Sequence, residues 1–239
     1  MQINYNYIKI ILLIAAVIFL YAFSSERNSK RLIPEPEIKF IGDDNLFVTH
    51  ETVSKLLIVN DGTITDKPKE IIDLNELETA LNSNEMIKDA QVSMTVNGLI
   101  TAKIGQRKPI ARVCTNASYY IDDEGFFMPL SSNYTARVPL VTGAIEKNNL
   151  STVFKVANKV RSDEFLNKQV VQIHKNENGT IDLKLRKHDF KVHLGSIEAM
   201  DKKINNLKAF YAKAMKDNLL DDYNLVNLKF DKQVICSKK

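Results

Sequence analysis

VSMTVNGLITAKI, residues 92–104, carries the strongest local structural signal in the chain. Val92, Met94 and Val96 alternate with polar residues, Asn97-Gly98 supplies a two-residue turn, and Ile100, Ala102 and Ile104 alternate again. Alternation on both sides of an Asn-Gly pair predicts an antiparallel hairpin with one face buried. The residues ahead of it supply what covers that face. Ile38-Lys39-Phe40-Ile41 reads as a strand, and Thr49 can cap a short helix carrying Val53, Leu56 and Leu57. Residues 61–68 read as a loop. Asp73 and Glu76 make a box-like cap before Leu74, Leu77 and Leu81 at helical spacing. The order is β-α-α-β-β over residues 37–106, with two helices on one face of a small sheet.

Beyond Gln106 the texture is strand-rich. Tyr119-Tyr120-Ile121, the turn Asp122-Asp123-Glu124-Gly125, and residues 126–130 form a second hairpin pattern. Residues 138–141 read as a short strand ending at Gly143, and Leu150, Phe154, Ala157 and Val160 as an amphipathic helix. Val171 and Ile173, then Ile181, Leu183 and Leu185, flank a turn at residues 176–179; Phe190, Val192 and Leu194 alternate after it. Ile197, Met200, Ile204, Leu207, Tyr211 and Ala214 recur at threes and fours, the firmest helical signal here. Val226, Leu228 and Phe230, then Val234-Ile235-Cys236, extend nearly to the terminus. The fold class predicted is α+β: residues 107–239 form a curved antiparallel sheet with helices.

Near the N-terminus lies the only long apolar run, IKIILLIAAVIFLYAF at residues 8–23. Extended to Ile3, it would span about 31 Å as a helix, at about 1.5 Å per residue. Tyr5, Tyr7 and Tyr21 suit the two membrane interfaces, and Lys9 can snorkel. An uncleaved single-span anchor is the preferred reading. Its rival is a cleaved signal peptide, since Ala22-Phe23-Ser24 places small residues two apart. Pro34 and Pro36 mark residues 24–36 as an extended linker. Arg27, Lys30, Arg31 and Lys39 follow the run, against Lys9 before it; by the positive-inside rule this count places the large region in the cytoplasm.

Composition restricts the function. Charge is mixed and dispersed (33 basic, 29 acidic, net +4), which argues for a solvated surface and against a nucleic-acid groove. Cys114 and Cys236 form no CxxC and no metal-ligand cluster, and free thiols are the simpler reading than a disulfide. Asn116, Asn133, Asn149 and Asn178 head N-x-S/T triplets, which chance explains in so Asn-rich a chain. His50, His174, His188 and His193 are scattered, and their expected roles are solvated or structural. The acidic turn at residues 122–125 lacks the oxygen spacing of a calcium loop. The sequence has no Ser elbow, no phosphate-cradling Gly loop and no HExxH. Neither an enzymatic activity, a cofactor, a metal nor a small-molecule substrate is expected.

A short head, one span, a β-α-α-β-β module and a larger β-rich module together resemble the bacterial cell-division family FtsQ/DivIB. The first module looks like its POTRA domain. RKPIA at residues 107–111 resembles the junction into the second domain; YYIDDEGFFMPL at 119–130 and LVTG at 140–143 resemble that domain's opening strands. LKFDKQVI at 228–235 resembles its closing strand. The resemblance implies a division of the chain into a cytoplasmic head (1–7), transmembrane helix (8–23), linker (24–36), POTRA-like domain (37–106) and partner-binding β-rich domain (107–239).

It further implies a non-enzymatic divisome scaffold in the inner membrane at the septum, with its large part outside the cytoplasm. Small bitopic proteins of the FtsB and FtsL type would add a strand to the free edge of the last strand, and other partners could use the POTRA-like domain. By position, Phe230, Lys232, Val234 and Ile235 would make side-chain contacts, and Gln233 main-chain bonds. A free edge suits that role, because it offers unpaired N–H and C=O groups while alternate side chains select the partner. The plainer reading makes Phe230 and Val234 core residues of a terminal strand. A rival from the transport class is a POTRA-bearing outer-membrane assembly or secretion factor, which usually repeats the module or adds many roughly ten-residue barrel strands. A single module followed by a long amphipathic helix disfavours it.

Overall fold

The computed structural model describes residues 5–29, 34–43, 45–57, 72–230 and 233–239. The loop expected at 61–68 lies outside them, as does part of the expected linker. Helix α1 (Tyr5–Ser29) contains a 21-residue stretch, Tyr7–Arg27, of mean hydropathy 2.3, long and apolar enough to cross a membrane. The remainder falls into two compact units that meet in sequence between Gln106 and Arg107.

The first unit follows the expected order: β1 (Glu37–Ile41), α2 (His50–Leu56), α3 (Leu74–Asn82), β2 (Ile87–Met94) and β3 (Ile100–Gln106). Strand β3 is central, parallel to β1 and antiparallel to β2. Thr49 caps α2 through the Thr52 N–H, and Asp73 caps α3 through the N–H groups of Asn75 and Glu76. Val53 of α2 and Leu57 at its C-terminal cap, with Leu77 and Leu81 from α3, pack onto Val92, Ile100, Ala102 and Ile104. Burying an aliphatic side chain of this size is worth about 1.5–3 kcal/mol, so this face holds the module together. Gln106, almost fully buried, accepts hydrogen bonds from the N–H groups of Phe47 (2.9 Å) and Val48 (3.0 Å) and donates to Val48 O (2.8 Å). One side chain thus fastens the approach to α2 onto the central strand.

The hairpin differs from expectation at its turn. Thr95 N–H bonds to Leu99 O and Gly98 N–H to Thr95 O, so the loop has three residues, Val96, Asn97 and Gly98. Only Gly98 takes a positive φ, at 87°. The two-residue turn read from Asn97-Gly98 needs positive φ at both central positions; a type I turn closed by a left-handed glycine does not. Val96 is therefore exposed loop rather than strand. The same hydrogen-bond pair closes the hairpins at Asp122–Phe126 and Asn176–Thr180, with Gly125 and Gly179 in the same place.

The second unit is built from β4 (Pro109–Cys114), β5 (Ser118–Asp122), β6 (Phe127–Met128), β7 (Leu140–Gly143), α4 (Ser151–Ser162), α5 (Glu164–Gln169), β8 (Val170–Lys175), β9 (Ile181–Leu185), β10 (Lys191–Gly195), α6 (Met200–Lys216), β11 (Tyr223–Asn227) and β12 (Ile235–Lys238). Nine strands form one sheet in the order β12-β11-β10-β9-β8-β7-β4-β5-β6. The sheet is mixed rather than antiparallel: β4–β7, β7–β8 and β10–β11 are parallel. Parallel neighbours need a crossover, and α4 with α5 supplies one between β7 and β8, α6 another between β10 and β11. Val153, Val156, Ala157 and Val160 of α4 and Ile204, Leu207, Tyr211 and Ala214 of α6 join Val141, Ile173, Leu183, Val192 and Val226 of the sheet in one core.

The opposite face carries a polar row. Thr142, His174, Asp182, His193, Asn227 and Ile235 stand side by side on six successive strands. Asp182 is almost fully buried; its Oδ1 lies 2.5 Å from His193 Nδ1 and its Oδ2 accepts from Asn176 at 3.1 Å. Burial pushes its pKa up, but those hydrogen bonds and the charges of His193 and Lys191 outweigh it, and the net shift is downward. Asp163, the cap of α5, behaves alike: burial raises its pKa, while the bond from Lys208, the Leu166 N–H and the nearby lysine charges lower it further. A carboxylate with a depressed folded pKa contributes its stability above the unfolded value, here about 3.8, and loses it as pH falls through the folded pKa. Unfolding midpoints are therefore expected to be insensitive to these two groups above about pH 5 and to fall below about pH 3.8. Asp163→Asn and Asp182→Asn should each flatten that acid limb, which urea titrations at stepped pH would read.

Candidate protein-binding edge

Strand β12 stands at one end of the large sheet, paired only with β11, with register Asn227↔Ile235, Val226↔Cys236, Leu225↔Ser237 and Tyr223↔Lys238. Among the described residues no strand pairs with its outer side. Lys239 N–H bonds inward to Asp222 O at 2.9 Å. Peptide groups alternate in direction along an antiparallel strand. The N–H groups of Ser237 and Ile235 therefore face β11, and those of Cys236 and Lys238 face outward.

The side chains alternate as well. Cys236 turns to the core, where burial pushes its thiol pKa up, while Ile235 and Ser237 are exposed on the polar face. Beside the strand, a groove of about 630 Å³ runs along α6, with Phe210, Ala214, Tyr223 and Val234 on its floor and Lys213 and Asp217 among its polar lining. The Phe210 and Tyr223 rings meet edge to face, 5.2 Å apart between centroids.

The five residues singled out from sequence fall unevenly on this edge. Ile235 is the first residue of β12. Gln233 and Val234 lie just before it and line the groove, and Phe230, 44% exposed, sits in the connection from β11. Lys232 lies outside the described residues. The segment read as one closing strand is interrupted because Asn227 Oδ1 accepts the Lys229 N–H at 2.9 Å while Leu228 turns into the core. That Asx turn ends β11. The paired strand consequently runs past Cys236, where the extended segment was read to end, to Ser237 and Lys238, and none of these three was among the five contact residues; the signal for it was Asn227.

The histidines are occupied structurally. His188 contacts Asp221 Oδ1 (3.0 Å) and the Tyr211 hydroxyl (3.1 Å), and His174 contacts Thr142 Oγ1 (2.9 Å). The described residues hold no group of three His, Cys, Asp or Glu that could bind a metal ion.

A family model described as FtsQ/DivIB, C-terminal related, matches residues 108–237, the span that contains the large sheet and most of this edge. The chain belongs to that FtsQ/DivIB family. A second model, for a POTRA-like domain, matches residues 41–105 of the first unit. No curated protein matches the chain. With one helix among the described residues long and apolar enough to cross a membrane, this FtsQ/DivIB protein is a division-related, single-pass membrane protein.

Proposed function

We propose that the protein is a non-enzymatic bitopic scaffold of the bacterial divisome, recruiting small bitopic division proteins of the FtsB/FtsL type by strand addition to β12. The observation that carries this reading is the outer side of β12, whose outward N–H groups at Cys236 and Lys238 alternate with inward ones. An incoming strand would place one set of side chains beside Ile235 and Ser237 and the other toward the groove along α6. A scaffold of this kind gains from membrane attachment, because partners held in the same bilayer meet at high effective concentration.

Cys236→Pro is the sharpest test. Proline removes an outward donor and no bond to β11, the position at which an edge strand tolerates it. With the full chain and the small bitopic partner in detergent, binding is expected to weaken about tenfold, the value of one good hydrogen bond. Unchanged affinity in a variant with an unaltered melting curve would reject strand addition at this edge.

The reading also places the N-terminus in the cytoplasm and the two units outside it, at the septum, against the flanking-charge count. Cys114 is exposed. In intact cells it should react with a membrane-impermeant maleimide. Labelling only after lysis would reverse the orientation.

A further inference from the structure

The three-stranded sheet has two edges, and α3 closes one of them. On the outer side of β2, Asn82 Oδ1 accepts the Ala90 N–H at 2.9 Å and Asn82 Nδ2 donates to Ala90 O at 3.4 Å. Glu78 Oε1 accepts the Val92 N–H at 2.7 Å. Residues 78 and 82 are one helical turn apart, so both point from the same side of α3. Ala90 and Val92 are two apart, so their peptide groups face the same way. The two spacings match. The Asn82 amide offers Ala90 an acceptor and a donor, as the backbone of a paired strand would.

We propose that Glu78 and Asn82 are a built-in strand mimic that keeps the β2 edge from pairing with β2 of a second copy of this chain. Three properties point to that occupant. Antiparallel β2–β2 pairing is two-fold symmetric, so one surface serves both copies. Ala90 of each copy would exchange bonds with Val92 of the other, and the two side chains occupy three of the four groups this needs, the Ala90 N–H and C=O and the Val92 N–H. Copies anchored in one membrane by α1 also meet at high effective concentration, which makes an open edge hazardous. The device lies in the first unit and is independent of any partner at β12.

Both side chains can be removed without touching the core. α3 keeps its Asp73 cap and its buried Leu77 and Leu81, and alanine is a good helix former. In the symmetric pair, Gln91 would face Gln91 as a non-hydrogen-bonded pair with Cα atoms about 4.5 Å apart. That is within reach of a disulfide. The test uses the full chain in membranes, with Cys114→Ser, Cys236→Ser and Gln91→Cys, compared with the same chain carrying Glu78→Ala and Asn82→Ala. Under mild oxidation the double-alanine chain is expected to form at least about fivefold more disulfide-linked dimer, and its Ala90 and Val92 amides to exchange faster when uncrosslinked. Glu78→Gln alone, which keeps an acceptor oxygen, is expected to match the parent. Faster exchange without added dimer overturns the proposal, because an open edge then does not recruit a second copy. Unchanged exchange also overturns it, because the side chains then do not hold the edge, as does equal dimer in the parent.

Discussion

Asp122→Ala is expected to destabilise the C-terminal unit by about 3 kcal/mol, the low end of the range for breaking a buried ion pair by removing one partner. Asp122 is 1% exposed and uses both carboxylate oxygens. Oδ2 pairs with Arg107 Nη1 at 2.6 Å, and Oδ1 accepts the N–H groups of Glu124 (3.0 Å) and Phe126 (2.7 Å). Alanine strands all three donors. The Arg107 Nε is itself buried without a hydrogen-bond partner among the described residues, so the guanidinium already depends on this one pair. Arg107 is 22% exposed, so water can reach part of the guanidinium, which is why the low end applies. Asp122→Asn separates the contributions: it keeps an acceptor for the turn and loses the charge, and should cost about half as much. Urea unfolding of the full chain in detergent, with hydrogen exchange read within residues 107–239, measures both. An alanine variant within about 1 kcal/mol of the parent would show that the pair is solvated.

That carboxylate also shows what sequence conveys and what it withholds. Residues 122–125 were legible as a hairpin turn, because Gly125 needs the left-handed region and Asp favours turns. The pairing with Arg107, fifteen residues away, was not, because it depends on β4 and β5 lying side by side. The strands themselves were legible, since alternation reports which side chains are buried. Their order was not. Alternation says nothing about direction, so the three parallel pairings of the large sheet were missed, although a strand, a helix and another strand at Val141, α4 and Val170 carried the pattern of a crossover.

Helix α5 has six residues, too few for a period to emerge; its visible sign was the Asp163 cap. At the candidate edge the difficulty was punctuation. An apolar alternation running through Leu228 and Phe230 resembled one strand, and a single asparagine side chain at position 227 ended it. The seal on β2 was hidden for a further reason: Glu78 and Asn82 look like ordinary polar residues of an amphipathic helix until β2 is laid beside them.

Gly143→Ala is expected to be comparably damaging, by roughly 3 kcal/mol, from two independent costs. Gly143 ends β7 with φ at 98°, where an alanine is strained by about 1–2 kcal/mol. A Cβ built there would also lie 2.0 Å from Lys175 O and 3.0 Å from His174 Cε1. The carbonyl cannot swing away freely, because it accepts the Ala144 N–H at 2.9 Å at the end of the parallel β7–β8 pair. Relief therefore requires the two strands to part, and overpacking of this kind typically costs about 1–3 kcal/mol. Gly179 provides the control: its φ is also positive, at 80°, but no neighbouring atom lies within 4 Å of the place its methyl group would take. Gly179→Ala should therefore lose only the strain, about 1–2 kcal/mol. The difference between the two variants isolates the close approach of β7 to β8. Equal losses in urea unfolding would mean that the strands yield, and that the glycine of the LVTG segment serves its backbone angle alone.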